Sequence, residues 1–272
     1  MGILNVTPDS FSGDGVLRAS SDVIAQAVMQ AEQFVADGVD IIDMGAESTR
    51  PGSQPITAAE ELDRLLPVLQ MVRQAVTVPI SVDTYRAAVA EAALEAGADW
   101  VNDVWGLRMD PDLGRVVAQA GCPVVLMHNR SKPKNVEQEA RLGGRYVSMV
   151  YDDLFDDIRR ELQESIELAL RQGVADEQII IDPGIGFGKT VAQNLELLND
   201  LDAFLDLGYP ILVGPSRKSF IGYTLDLPPE ERMEGTAAAV AIAIDRGADL
   251  VRVHDVRAMV RVARMVDQIV RS

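Results

Sequence analysis

The stretch IIIDPGIGFGKT, residues 179–190, decides the fold, because an apolar run leads to a polar residue and then to a glycine-rich turn. Such a run predicts a strand buried on both faces, as in parallel sheets covered by helices. Seven more apolar runs end near residues capable of chemistry. They occupy residues 2–4, 39–42, 79–82, 100–101, 123–127, 210–213 and 250–253 and lead to Asn5, Asp43, Asp83, Asn102, His128, Ser216 and His254.

The segments between the runs have helical spacing, as at Ile24, Ala27, Ala31 and Phe34. Eight strand–helix units need about 250 residues in one barrel. The 272-residue chain therefore predicts one α/β domain over residues 1–272, a (β/α)8 TIM barrel. Left-handed glycines are expected to end six of the seven helices that precede a strand, and they are Gly38, Gly97, Gly121, Gly173, Gly208 and Gly247.

Composition limits the classes of partner. A net charge of −17 argues against nucleic acid and anionic membranes, which require a basic surface. No apolar stretch approaches the roughly 18 residues of a membrane span, and no secretory leader is visible, so a cytoplasmic location is expected. A small-molecule ligand is favoured, and an anionic one would need local cations. The candidate cations near strand ends are Arg50, Lys189, Arg217, Lys218, Arg252 and His254.

Barrel enzymes carry their chemistry at the carboxyl ends of the strands, and the polar residues fall there. Residues 8–20, 47–55 and 129–145 also follow strands, so all three segments are expected on the same face. Residues 129–145 are consistent with either a functional lid or a simple insertion.

Residues 184–190 resemble a phosphate-binding P-loop only superficially. Three residues separate Gly184 from Gly188, whereas the motif needs four, and we reject a nucleotide site. The glycines instead permit close approach of a flat ligand, with Phe187 available to stack, or they form only a tight turn.

Three strand ends offer acceptors and donors that suit a heterocycle with an amidine-like edge. Carboxylates such as Asp83 and Asp182 accept paired N–H donors, and Asn102 adds an amide, although each alone could cap a loop. Asn5 and Asp43 could offer oxygens to magnesium, which their spacing does not demand.

Cationic groups near the last two strands leave several roles open. Arg252 and His254 lie at i and i+2 and could bind a phosphate-sized anion or make ordinary surface contacts. Lys218 could neutralise a leaving group, bind a carboxylate or form a Schiff base.

Seven motifs follow one another in order along nearly the whole chain. They are Asn5-Val6-Thr7-Pro8-Asp9-Ser10-Phe11, Glu47-Ser48-Thr49-Arg50-Pro51-Gly52, Ser81-Val82-Asp83-Thr84, Asn102-Asp103-Val104, residues 182–189, Ser216-Arg217-Lys218-Ser219-Phe220 and Arg252-Val253-His254-Asp255-Val256. This ordered set resembles that of the dihydropteroate synthases. The resemblance implies a folate-pathway transferase that joins 4-aminobenzoate to 6-hydroxymethyl-7,8-dihydropterin diphosphate and releases pyrophosphate. Family members usually carry residues before the first strand, whereas here Met1 directly precedes it.

The resemblance also implies roles for individual residues. Asn5 would bind Mg²⁺, loops carrying Asp9 and Arg50 would close over the ligands, sulfonamides would inhibit, and the enzyme would be a homodimer. The implied catalytic residues are Asp9, Arg50, Asp83, Lys218 and Arg252. The implied pterin site is Asp83, Asn102, Met127, Asp182, Gly186, Phe187 and Lys218; the diphosphate site is Asn5, Thr49, Arg50, Arg252 and His254; and the aminobenzoate site is Phe11, Thr49, Pro51, Phe187, Lys218 and Ser219.

Two other functions remain in competition at this stage. A pterin-dependent methyltransferase would share the barrel and the pterin pocket, and a non-catalytic pterin-binding protein would show no turnover. Because diphosphate leaves readily once its charge is offset, a neutral arylamine can attack without a strong base. This agrees with a chain in which no Ser/His/Asp or Cys/His nucleophile arrangement is evident.

Overall fold

The computed structural model describes residues 1–7, 21–48, 53 and 55–271. Within these ranges, the eight predicted strands occur in order with helices between them, and an additional hairpin at residues 136–146 follows the fifth of them. The strands are β1 (Gly2–Asn5), β2 (Ile42–Gly45), β3 (Ile80–Asp83), β4 (Trp100–Asp103), β5 (Val124–Met127), β6 (Val136–Glu139), β7 (Gly143–Tyr146), β8 (Ile179–Asp182), β9 (Leu212–Val213) and β10 (Leu250–Val251).

Eight of the described strands form a closed parallel barrel. Hydrogen bonds join them in the order β1-β2-β3-β4-β5-β8, and β9 pairs with β10. Parallel bridges between Ile181 and Ile211 and between Gly2 and Val253 connect the two groups. At the second seam, the Ile3 N–H donates to the Val253 carbonyl at 2.9 Å. The prediction of a (β/α)8 barrel is confirmed.

The helices surround the barrel, and local signals mark where they start and stop. Thr57 begins α2 with a capping box, in which its hydroxyl accepts from the Glu60 N–H and its own N–H donates to the Glu60 carboxylate. No helix in the described ranges is long and apolar enough to cross a bilayer. The helices are α1 (Ser21–Ala36), α2 (Ala58–Ala75), α3 (Ala87–Glu95), α4 (Leu113–Ala120), α5 (Leu154–Arg171), α6 (Val191–Asn199), α7 (Ser219–Leu225), α8 (Met233–Asp245) and α9 (Val256–Val270).

Two apolar cores, in the wall and the floor of the barrel, hold this arrangement, and a third, small cluster of Val240, Ile244, Val253 and Met259 joins α8 to α9. The larger lies between strands and helices, where Ile42, Leu69 and Ile158 are fully buried, and each such side chain contributes about 1.5–3 kcal/mol relative to exposure. The smaller core fills the floor of the barrel. Toward the carboxyl ends of the strands, the side chains inside the barrel become polar. The floor contains Met1, Ile41, Val125, Ile180 and Leu212, with Trp100 and Leu250 packed against them.

Two elements differ from the sequence expectation. Strand β2 begins only at Ile42, so Asp43 lies inside the strand instead of ending it, and it is buried against Arg252. The segment 129–145 contains a short 3₁₀ turn followed by the antiparallel hairpin β6–β7. That hairpin is attached to α7, because the Tyr223 hydroxyl donates to the Gly143 carbonyl at 3.0 Å.

Candidate active site

One side of the barrel mouth, here named the carboxylate side, consists of Asp43, Asp83, Asn102 and Arg252. Arg252 Nε donates to Asp43 Oδ2 at 2.6 Å, and Arg252 Nη2 donates to Asp83 Oδ2 at 2.8 Å. The Asn102 amide also donates to Asp43 Oδ2, at 3.3 Å. Strands β2, β3, β4 and β10 thus bring together side chains up to 209 residues apart.

Burial governs the charge of this side. It raises the pKa of Asp83 to about 7, while the Arg252 cation opposes the rise and the Asp43 charge adds to it. Arg252 is partly buried, yet Asp43 and Asp83 raise its pKa, so it stays protonated. The Asp83 carboxylate is therefore poised to change charge near neutrality, when an N–H donor approaches.

The opposite side of the mouth, the lysine side, consists of Asp182, the turn at residues 184–187 and Lys218. Asp182 Oδ1 accepts from the Gly184 N–H at 2.7 Å, and burial raises the pKa of Asp182 while Lys218 opposes that rise. Gly184 has a φ of 76°, and a Cβ there would lie 1.9 Å from the His128 carbonyl oxygen. No side chain fits at this position.

Lys218 reaches across this turn. Its ammonium donates to the Ile185 carbonyl and lies 4.6 Å from the centroid of the Phe187 ring. Burial lowers the pKa of Lys218 to about 8, with Asp182 opposing the shift, so the amine is still mostly protonated at pH 7. Gly186 lies under its stem, since a Cβ there would be 2.7 Å from Lys218 Cδ.

His254 lies on the rim between β9 and β10. Its Nδ1 lies 3.0 Å from Ser216 Oγ, which also accepts from the His254 N–H at 3.1 Å. Arg217 turns away to Asp255, with Nε to Oδ2 at 2.9 Å. Arg252 is already paired with Asp43 and Asp83, whereas His254 contacts Ser216. Arg252 and His254 therefore have different partners.

A buried polar network supports the lysine side from behind. Lys189 Nζ donates to the carbonyls of Gly184 at 2.9 Å and Phe187 at 3.1 Å, and it lies 3.0 Å from His128 Nδ1. His128 Nε2 faces Glu161 Oε2 at 3.1 Å. Burial, together with the Lys189 charge, lowers the pKa of His128 to about 3, so this histidine is neutral. Lys189 thus fixes the turn and is not a surface cation for an anionic ligand.

The structure brings most of the predicted pterin residues to one mouth. Met127 is buried at the end of β5, opposite Asp182 in the sheet register. Asn5 ends β1 and is partly exposed, and Ser219 begins α7. The predicted residues outside the described ranges are Asp9, Phe11, Thr49, Arg50 and Pro51.

Sequence reasoning missed three contributors. It considered Asp43 only as a metal ligand, whereas one of its oxygens bonds to Arg252 and Asn102. Arg232 and Thr236 contact the backbone beside Lys218, and neither belongs to a recognisable motif. Such long-range contacts leave no local signal.

The donor set bears on the expected Mg²⁺. Asn5 offers a neutral amide oxygen. Oδ2 of Asp43 pairs with Arg252, while its buried Oδ1 has no hydrogen-bond partner in the described part of the chain. In the described ranges, no group of three His, Cys, Asp or Glu side chains could hold a metal. The residues fit an ion that relies mainly on water and ligand phosphates, as magnesium commonly does.

The closed barrel, its polar mouth and the glycine turn at residues 184–187 together define the class of this protein. The family model described as pterin binding enzyme matches residues 1–254. The chain belongs to the pterin-binding enzyme family.

Within that class, its relatives are dihydropteroate synthases. The Bacillus subtilis (strain 168) enzyme is 47% identical over 267 residues, covering 98% of this chain and 87% of that relative. The Clostridium difficile enzyme, solved in the presence of pteroic acid, has a TM-score of 0.90 and 45% identity, covering 100% of this chain and 96% of that one. The Xanthomonas albilineans enzyme, solved with 4-aminobenzoic acid, has a TM-score of 0.87 and 39% identity, with coverages of 99% and 92%.

Proposed function

We propose that this chain is a dihydropteroate synthase of folate biosynthesis, which condenses 6-hydroxymethyl-7,8-dihydropterin diphosphate with 4-aminobenzoate to give 7,8-dihydropteroate and pyrophosphate. The observation that carries the proposal is the convergence of Asp83, Asn102, Asp182 and Lys218 on one barrel mouth, in a chain whose relatives have that activity.

The carboxylate side and Asp182 would recognise the pterin. Its adjacent ring and exocyclic N–H groups suit carboxylate acceptors, and Asn102 can both donate and accept. Phe187 and the backbone of Gly186 would line the flat faces, with Met127 beneath. Asp83 in its charged form would also stabilise positive charge that develops on the ring and its methylene group.

The reaction is a displacement at the exocyclic methylene carbon. The bond from this carbon to the diphosphate oxygen breaks, and that oxygen keeps the electron pair. The aminobenzoate nitrogen supplies the pair for the new C–N bond and then loses a proton to solvent. Because an arylamine is a neutral nucleophile, no residue has to act as a strong base.

The departing diphosphate needs compensating charge. His254 and Ser216, which are hydrogen-bonded to each other at the rim, would donate to it, and Arg252 would contribute once the pterin takes over its carboxylate partners. Thr49 and Arg50 are proposed to complete this site. Asn5 would help to hold Mg²⁺, which offsets phosphate charge when bound.

The aminobenzoate would lie beside the lysine side. Lys218 and Ser219 would meet its carboxylate, and Phe187, whose ring lies near the Lys218 ammonium, would contact its ring. Phe11, Thr49 and Pro51 are proposed to close this pocket, with Asp9 on the same loop as Phe11. Sulfonamides share the shape of 4-aminobenzoate and are expected to compete for it.

A cytoplasmic homodimer is the proposed assembly. Helices α8 and α9 belong to the C-terminal half and expose large apolar side chains that a second copy would cover. Analytical ultracentrifugation at micromolar concentration should give twice the monomer mass, and a monomer mass would reject this part. The exposed side chains are Met233, Ile242, Met265 and Ile269.

A steady-state assay tests the function. Pyrophosphate release and dihydropteroate formation are expected in equal amounts, with dependence on both 4-aminobenzoate and Mg²⁺. Methyl transfer to a corrinoid would favour the methyltransferase instead. Pterin binding without turnover under all conditions would favour a binding protein.

A further inference from the structure

We propose that Arg232 and Thr236 together position Lys218 by holding the backbone of Arg217. Arg232 lies just before α8 and is only 2% exposed. Its nitrogens donate to the carbonyls of Leu227 at 3.0 Å, Arg217 at 3.0 Å and Leu142 at 2.9 Å. Within the described ranges, no carboxylate lies at ion-pair distance from it. A buried guanidinium that serves only main-chain carbonyls fixes the relative positions of three segments.

The segment that matters most contains Arg217. This residue has a φ of 55°, a left-handed conformation that is uncommon for a residue other than glycine. Three contacts hold it there. Arg232 Nη1 donates to its carbonyl, its N–H donates to Thr236 Oγ1 at 3.0 Å, and its side chain pairs with Asp255. Surrounding structure must over-determine such a strained residue for it to persist.

Lys218 is the next residue, so the conformation of Arg217 sets the direction in which the lysine leaves the main chain. Lys218 then runs over Gly186 to the Ile185 carbonyl. The groups that face its ammonium are the carboxylates of Asp182 and Asp83, the Arg252 cation and the Phe187 ring. A rotation at Arg217 would withdraw the amine from all of them.

The same contacts connect the hairpin β6–β7 to the Lys218 segment. Leu142, just before β7, is buried and offers its carbonyl to Arg232. The hairpin therefore supports the Lys218 segment from outside the barrel and is not an isolated surface insertion. Its outer ion pair, between Arg141 and Asp226, is exposed.

The experiment follows the Lys218 ammonium directly. The chain contains only four lysines, 132, 134, 189 and 218, so lysine side-chain NMR of labelled protein is simple, and a Lys218→Arg variant assigns its signal. The titration is compared in the full chain between wild type, Arg232→Met and Thr236→Val. Thr236→Ser keeps the hydroxyl acceptor, and Arg141→Ala is the matched hairpin control.

The wild-type signal should titrate near pH 8. In Arg232→Met and Thr236→Val it should move toward the ordinary lysine value of about 10.4, since the amine reaches water. Thr236→Ser and Arg141→Ala should keep the wild-type midpoint. Even if Arg232→Met fails to fold, Thr236→Val, which is nearly isosteric, still tests the inference. An unchanged Lys218 midpoint in folded Thr236→Val would overturn it.

The functional consequence rests on the proposed role of Lys218 in substrate binding. Thr236→Val should raise KM for the dihydropterin diphosphate about 5- to 20-fold and change kcat less, which is the scale of one or two hydrogen bonds. The NMR result needs no substrate. A moved signal with unchanged KM would reject the role of Lys218, whereas an unmoved signal rejects the positioning role of Arg232 and Thr236.

Discussion

The two sides of the barrel mouth hold their cations in different ways. On the carboxylate side, Arg252 contacts the carboxylates of Asp43 and Asp83 directly. On the lysine side, Lys218 and Lys189 donate to main-chain carbonyls of the glycine turn, and Asp182 affects them only from a distance. The carboxylate side therefore holds its cation by charge pairing, and the lysine side holds its amines by hydrogen bonds to the main chain.

This difference separates two kinds of recognition. A ligand with N–H donors competes with Arg252 for the same carboxylate oxygens, so the carboxylate side responds to charge and pH. The lysine side responds to the conformation of residues 184–187 and 217. Variants on the first side should therefore alter pH dependence, and variants on the second should alter geometry.

The largest effect is expected for Arg252→Ala. Removing the cation leaves the buried Asp43 and the partly buried Asp83 without it, which costs about 3–5 kcal/mol in the free energy of unfolding near neutrality. The folded-state pKa of Asp83 should rise further, so the loss should be greater at pH 8 than at pH 5, where protonation relieves it. Urea unfolding at both pH values measures this. Equal destabilisation at pH 5 and pH 8 would show that Arg252 does not control these carboxylates.

Asp83→Asn should separate stability from activity. The pKa of Asp83 in the fold is about 7 instead of 3.8, so its charge costs stability as the pH rises through 7. Relative to wild type, the free energy of unfolding of the variant should increase by about 1–3 kcal/mol as the pH is raised from 4 to 8. Its kcat/KM for the pterin substrate should fall at least about 100-fold.

Asp112→Asn is the matched control for that variant, because this carboxylate is exposed and, among the described residues, pairs with Arg115 alone. It should change neither quantity. Retention of full activity by Asp83→Asn would remove Asp83 from the pterin site.

Gly186→Ala tests the lysine side against Gly208→Ala. Both glycines have φ near 80°, so each substitution should cost about 1 kcal/mol in stability. Only at Gly186 would the new Cβ meet Lys218, at 2.7 Å from its Cδ, whereas nothing lies within 4 Å at Gly208. Thermal unfolding should therefore be similar for both, and KM should rise only for Gly186→Ala. Equal kinetics would show that Lys218 does not need this surface.

The smallest effect is expected for Tyr223→Phe, which removes the hydroxyl that donates to the Gly143 carbonyl. Loss of this bond should reduce the free energy of unfolding by about 0.5–1.5 kcal/mol. Tyr209→Phe removes a hydroxyl that bonds to Asp176 on the surface and serves as the control. If Tyr223→Phe and Tyr209→Phe reduce the free energy of unfolding equally in chemical denaturation, the Tyr223 hydroxyl does not specifically stabilise the hairpin.

The sequence predicted what local patterns encode. All six glycines expected to end helices have positive φ, from 63° at Gly121 to 105° at Gly97. The order of strands and the convergence of Asp83, Asn102 and Asp182 also followed, because parallel strands place their carboxyl ends on one face.

What the sequence could not predict depends on contacts distant along the chain. Asp43 interrupts an apolar run, and only Arg252, 209 residues away, explains its burial inside β2. The outer hairpin strand Val136–Glu139 is mostly polar and exposed, so it shows no apolar alternation. Arg232 resembles an ordinary surface arginine before a helix until its three carbonyl partners are known.

The most direct test of recognition by the carboxylates is proton release on pterin binding. Calorimetry with 6-hydroxymethylpterin at pH 6, in buffers of different ionisation enthalpy, counts the protons exchanged. Asp83 has a pKa of about 7 and is mostly protonated there, so binding of N–H donors to its charged form should release protons. The release should vanish at pH 9 and diminish in Asp83→Asn. Tight binding at pH 6 with no proton release would contradict the assignment of the carboxylate side to the pterin.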